Sequence, residues 1–179
     1  MADTTLSIRA AKKEDCQEII RLIKELADYE KMPNGPKIDA DILRRDGFDS
    51  PQPYFRCLVA ENSDQPDKLV GYCLYFNVYS TWEGRSVYME DLYVTPSMRG
   101  QGLGKRLWQE LTRRALEEGC VRVNWACLDW NKPSIDFYIK QGARNLSAEE
   151  GWQDFRLDKA AMEAFVKSVK ESDKIKVVA

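Results

Sequence analysis

Between Lys13 and Tyr29 the apolar residues Cys16, Ile19, Ile20, Ile23, Leu26 and Ala27 recur at spacings of three and four. That period puts one apolar stripe along a helix. Leu6 to Arg9 reads as a short opening strand before it. Met32 to Lys37, with Pro33, Gly35 and Pro36, reads as a loop, and Asp39, an N-cap type, opens a short helix to Arg45. Three strand-like runs follow, Tyr54 to Glu61, Lys68 to Tyr79 and Arg85 to Thr95, joined by a polar turn over Asn62 to Asp67 and a second over Trp82 to Gly84. Such short connections predict an antiparallel meander. The helical period returns from Gly104 to Glu118, with Leu107, Trp108, Leu111, Ala115 and Leu116 on one side and Gly119 as the stop. Val121 to Cys127 reads as a strand, so the order strand, helix, strand implies a parallel pair with a crossover. Pro133 opens a further helix to Gln141, stopped by Gly142. Trp152 to Leu157 is expected as a final strand and Ala160 to Lys170 as a terminal helix, with the tail SDKIKVVA free to move apart from a docking role for Val177 and Val178. The sum is an α/β (α+β) chain: a mixed central sheet, meander first and βαβ unit second, flanked by helices.

Composition narrows the chemistry. The 179 residues suit one domain, 1–179, and the charge of -2 gives no reason to expect a nucleic-acid partner. No histidine is present, which removes Ser-His and Cys-His catalysis and His-based metal sites together. Proton transfer falls to carboxylates, tyrosine, cysteine, lysine or water. The five cysteines, Cys16, Cys57, Cys73, Cys120 and Cys127, are odd in number, show no CxxC spacing and lie mostly in apolar runs, which reads as reduced, buried thiols in a cytoplasmic protein. The start, MADTTLSIRAAKKED, lacks a signal peptide's apolar run, and no stretch reaches the roughly 20 apolar residues of a membrane helix.

The most informative segment is Arg99-Gly100-Gln101-Gly102-Leu103-Gly104-Lys105, between a strand and a helix. Glycines permit positive φ and close backbone approach, and a helix start offers unpaired N–H groups and a positive dipole end. Together they suit a pyrophosphate, with charge from Arg99 and Lys105. A Walker loop is excluded because Arg106, not Ser or Thr, follows Lys105, and a Rossmann fingerprint would need its last glycine at Lys105. A plain flexible turn is the alternative for the glycines alone.

With its flanks the segment says more. Glu90-Asp91-Leu92-Tyr93-Val94 followed by RGQGLG resembles the coenzyme A signature of the GNAT acetyltransferases, and Asn131, Lys132, Pro133 and Ser134, opening the helix that carries Tyr138, resemble its second half. From Ser7 to about Asp158 the chain is similar to the diamine acetyltransferases of that superfamily, the spermidine/spermine and thialysine branches, through RLIKELADYEK, DGF, CLVAE, YMEDLYV, DWNKPSIDFY and EEGW. YSTWEGR and LDWN look closer to the thialysine branch, while Asn124, Trp125 and Ala126 differ from the polyamine branch.

The resemblance implies a GNAT fold, acetyl-CoA as co-substrate without a metal, a small cationic amine as acceptor, direct transfer in a ternary complex and a homodimer. It implies Tyr138 as the acid for the leaving thiolate and Glu90 as base, through water, or as amine anchor. The residue-level alternatives are a core tyrosine, since Ile135, Tyr138 and Ile139 share a helix face, and a simple exposed carboxylate. Leu92, Tyr93 and Val94 would pair their backbone with the pantetheine arm, the Val94 N–H serving as an oxyanion donor. Asn131 and Ser134 would touch the cofactor or merely cap their helix. On the acceptor side the resemblance places Tyr29, Glu30, Glu90, Asp91, Asn124, Trp125, Ala126, Glu150 and Trp152, and Asp129 and Glu149 add negative charge. Acidic and aromatic lining fits a cationic, partly aliphatic amine. A protein-lysine or antibiotic acetyltransferase and a non-catalytic coenzyme A-binding module are the rival readings.

Overall fold

The computed structural model describes residues 5–168, which group into two compact units divided between Leu128 and Asp129. The tail and the last two residues of the expected terminal helix lie outside the described residues.

The first unit is built on a five-stranded sheet in the order β1-β2-β3-β4-β5: β1 Leu6–Ala10, β2 Arg56–Asn62, β3 Gln65–Ser80, β4 Gly84–Val94 and β5 Arg122–Asn124. β1 to β4 pair antiparallel and β5 pairs parallel to β4, so the meander and the crossover fall where the hydrophobic pattern predicts them. The helix α1, Cys16–Tyr29, follows a single 3-10 turn and turns Cys16, Ile19, Ile20 and Leu22 onto the sheet. α2, Ala40–Arg44, is capped by Asp39, whose side chain accepts the Ile42 N–H at 2.9 Å. Both helices share one core with Cys57, Val59, Leu69, Tyr72, Leu74 and Tyr93. Strand alternation sends Leu58, Cys73 and Val87 to the other face, against α3, Leu103–Glu117, which buries Leu107, Leu111 and Ala115. Each buried leucine or valine among them contributes about 1.5–3 kcal/mol. The close approach of β3 and β4 requires Gly71, where an added Cβ would stand 2.8 Å from the Tyr93 carbonyl oxygen.

Two hairpin details differ from expectation. β3 starts at Gln65, paired with Asn62, so the first turn is only Ser63 and Asp64, closed by the Asn62 carboxamide oxygen accepting the Asp64 N–H at 2.9 Å. β5 is three residues long rather than seven, because parallel pairing stops at Tyr88↔Asn124, just before β4 leaves its regular course.

The second unit holds α4 Lys132–Lys140, α5 Leu146–Glu150 and α6 Lys159–Ser168. α5 is unpredicted. The expected strand Trp152 to Leu157 does not form: these residues are irregular and exposed. A strand exists through its ladder, and no strand pairs with this segment among the described residues.

Candidate active site

The site of the first unit grows from one irregularity in β4. Leu74 of β3 lies opposite Asp91 and the next residue, Tyr75, lies opposite Met89, so Glu90 is the extra residue of a β-bulge. The bulge resets the alternation, leaving Glu90 exposed and turning Asp91 to the α1 face, where its Oδ2 accepts the Tyr72 hydroxyl at 2.8 Å. Burial pushes the Asp91 carboxyl up to about 6, aided by the charges of Glu90 and Glu30, against the lowering effect of the Tyr72 bond. Glu30 is raised too, by burial.

Glu30 and Tyr29 are held there by the end of α1. Lys31 takes a left-handed φ of 62°, its N–H reaches the Asp28 carbonyl at 3.1 Å, and the Met32 N–H reaches that of Ala27 at 2.8 Å. This is a Schellman stop with lysine in the position glycine usually fills. The guanidinium of Arg99 lies 4.9 Å from the Tyr29 ring centre and 5.3 Å from that of Tyr93, and its Nε donates to the Val94 carbonyl at 2.9 Å. Arg99, expected beside the phosphates, thus ties the end of α1 to the end of β4. The Tyr93 hydroxyl continues the network to Glu25 at 3.3 Å.

The Thr95 N–H donates to the Val70 carbonyl across the β3 ladder. Alternation therefore aims the Val94 N–H at the opposite edge, where pairing with β5 has already ended at Tyr88. Just beyond, Gly100 and Gly102 take φ of 77° and 79°, and Gly102 is the N-cap of α3. An added Cβ at either would meet no atom within 4 Å, so the left-handed backbone, not crowding, requires glycine there. The first N–H groups of α3, from Leu103 to Lys105, have no partner within the helix. The Leu103 side chain is core, while Gln101 and Lys105 are exposed. An unpaired strand edge leading into a glycine turn and a helix start fits the arm and the pyrophosphate of a coenzyme A molecule.

Other expected acceptor residues are spread out. Asn124 ends β5 opposite Tyr88. Trp125 packs edge-on against Trp108 of α3, 5.1 Å between centres, and so belongs with α3, whereas Tyr29 and Glu30 follow α1. Ala126 and Asp129 are exposed.

In the second unit Asn131 is buried and its backbone carbonyl accepts the Ser134 and Ile135 N–H groups, but its side chain does not cap α4. Lys132 pairs with Asp136 at 2.7 Å and Pro133 starts the helix. Tyr138 is half-buried, its ring 5.2 Å from that of Phe137. Arg144 bonds both Glu149, at 2.7 Å, and Glu150, at 3.0 Å, and Glu150 also accepts the Trp152 indole N–H at 2.8 Å. The residues expected at the acceptor from EEGW thus form one exposed cluster.

Tyr72 is the partner of Asp91 that the sequence hides. It sits in a continuous apolar run, and only the register with β4 brings it to Asp91.

Residues 8–143 match the acetyltransferase (GNAT) family. The thialysine N-epsilon-acetyltransferase of Sus scrofa is 47% identical over 160 residues, 87% of this chain and 94% of the pig protein. A human spermidine/spermine N(1)-acetyltransferase-like protein 1 is 42% identical over 85% of this chain, which spans 22% of that longer protein. Among solved structures, an integron cassette protein from the mobile metagenome of V. cholerae has a TM-score of 0.74 at 23% identity, covering 91% of this chain and 98% of its own. An aminoglycoside acetyltransferase from an uncultured soil sample has a TM-score of 0.68, also at 23%, over 86% of this chain and 95% of its own, and supports the fold alone. Family match, long relatives and the bulged strand running into the glycine turn agree: the chain belongs to the GNAT family of acetyltransferases.

Proposed function

We propose that the protein transfers the acetyl group of acetyl-CoA to a primary amine of a small cationic acceptor, thialysine or a diamine or polyamine, by direct transfer in a ternary complex. The observation that carries the acceptor class is the carboxylate group at the bulge, Asp91 with Glu30 and Glu90, of which two are shifted by burial. Partly desolvated carboxylates hold an ammonium group far more strongly than surface ones. The relatives named for thialysine support the same class.

Acetyl-CoA supplies an activated thioester. The Val94 N–H donates to its carbonyl oxygen, and the glycine turn with the first N–H groups of α3 binds the pyrophosphate. The resemblance assigns further cofactor contacts to Asn131 and Ser134. Asp91 and Glu30 hold the acceptor, Glu90 takes the amine proton through water, and Tyr138 gives its hydroxyl proton to the leaving thiolate. A cysteine relay is disfavoured because four of the five thiols are buried, and at the exposed Cys127 partial desolvation and the Glu30 charge push the thiol up, which lowers its thiolate share. We also expect a homodimer in the cytoplasm, supported by four buried free cysteines and by the resemblance; sedimentation at a monomer mass would contradict the dimer.

The test is acetyl-CoA consumption with thialysine by the wild-type enzyme and by Tyr138→Phe, with intact-mass analysis before acceptor is added. Loss of a general acid lowers kcat by about 100-fold or more, and direct transfer leaves the enzyme mass unchanged. An acetylated enzyme that discharges to the amine would replace direct transfer by a covalent route.

A further inference from the structure

Tyr72 stands at the middle of β3 with no exposed surface, opposite Tyr93 and inside the apolar cluster that α1 and α2 form with the sheet. A phenylalanine would fill that space equally well. What tyrosine adds is one hydroxyl, and a buried hydroxyl that finds no partner costs about 1–3 kcal/mol. Its partner is the Asp91 carboxylate, whose Oδ2 accepts the hydroxyl at 2.8 Å. The meeting depends on the bulge, since a regular β4 would carry the residue after Glu90 to the α3 face.

We propose that Tyr72 is a positioning residue for the acceptor amine: its buried hydroxyl anchors one oxygen of Asp91 so that the other is presented to the ammonium group beside Glu30. The proposal rests on the acceptor reading given above. Burial and the Asp91 charge keep the Tyr72 phenol protonated far above neutral pH, so it is a fixed donor and Asp91 a fixed acceptor. Tyr72 of β3, Cys57 of β2, Tyr93 of β4 and Glu30 after α1 lie on the Asp91 side of the sheet, while exposed Glu90 and the Cys73 thiol on the opposite face act on it, or feel it, through charge alone. Burial keeps both thiols neutral. Arg99 lies over the Tyr93 ring. The charges that act on Asp91 are therefore the two glutamates, both of which oppose its ionisation, and the Tyr72 bond is what works against them.

The test is the pH dependence of kcat/KM for thialysine in wild type, Tyr72→Phe and Asp91→Asn, with KM for acetyl-CoA and the melting temperature measured in parallel. Without the hydroxyl the Asp91 carboxyl rises further, so the inflection near pH 6 moves up by about one pH unit, the worth of one lost hydrogen bond. At pH 6.5 kcat/KM falls about 3-fold through KM for the amine, while KM for acetyl-CoA stays unchanged. A Tyr72→Phe enzyme that melts lower but keeps the wild-type inflection, beside an impaired Asp91→Asn enzyme, would overturn the role of Tyr72 alone. An Asp91→Asn enzyme with wild-type kcat/KM for amines would overturn the acceptor reading itself.

Discussion

Asp91 is a residue whose burial costs the fold something. Its carboxyl stands at about 6 in the folded chain against about 3.9 in an unfolded one, because burial outweighs the Tyr72 bond. A group raised on folding contributes its stability fully below the unfolded value and loses it as pH rises through the folded one. Asp91→Asn, neutral throughout, should thus match wild-type stability near pH 4 and exceed it by on the order of 2 kcal/mol at pH 8. Urea unfolding at the two pH values checks this, and equal stabilities at both would show that the carboxylate is well solvated. Glu90 and Asp91 were legible as a pair from their place before the glycine turn. Which of them turns inward was not, because a bulge is a property of two strands in register and has no pattern in one of them.

At the scale of elements, α1 to α4 and α6 were legible from period and caps, down to Asp39 on the Ile42 N–H, whereas the single-turn α5 was not. The other failures are those of pairing. Trp152 to Leu157 finds no partner strand among the described residues, and Val121 to Cys127 is cut to Arg122–Asn124 by where β4 diverges. Two predictions belong here. Gly71→Ala forces a methyl group to 2.8 Å from the Tyr93 carbonyl oxygen, so it should destabilise by about 1–3 kcal/mol and raise KM for both substrates, because the displaced strand carries Asp91 and Val94. Thermal melting with steady-state kinetics tests it, and a wild-type melting point would contradict the tight packing. Lys31→Gly relieves a left-handed lysine in the Schellman stop of α1 and should stabilise by about 0.5–1 kcal/mol. Denaturant titration reads the sign directly; a destabilised Lys31→Gly would mean that the lysine side chain matters more than its backbone strain.

For the whole molecule, absence did as much as presence. A chain without histidine leaves acid–base work to carboxylates, tyrosine, cysteine, lysine or water. No described helix is long and apolar enough to cross a membrane. The order of meander, glycine turn and crossover was readable because each depends on local period and punctuation. The stacking of Arg99 on Tyr29 was not, since it joins residues 70 positions apart along the chain through a turn and a helix end.

The central claim is that the acidic site at the β4 bulge takes a small cationic amine. Its most direct test is kcat/KM for acetyl transfer from acetyl-CoA to thialysine, putrescine, spermidine and spermine, set against a lysine-containing peptide. The structure and the family predict that at least one small amine is acetylated at least tenfold more efficiently than the peptide, and that Asp91→Asn removes that preference. Acetylation of the peptide with no turnover of any free amine would contradict the claim and assign the site to a protein acceptor.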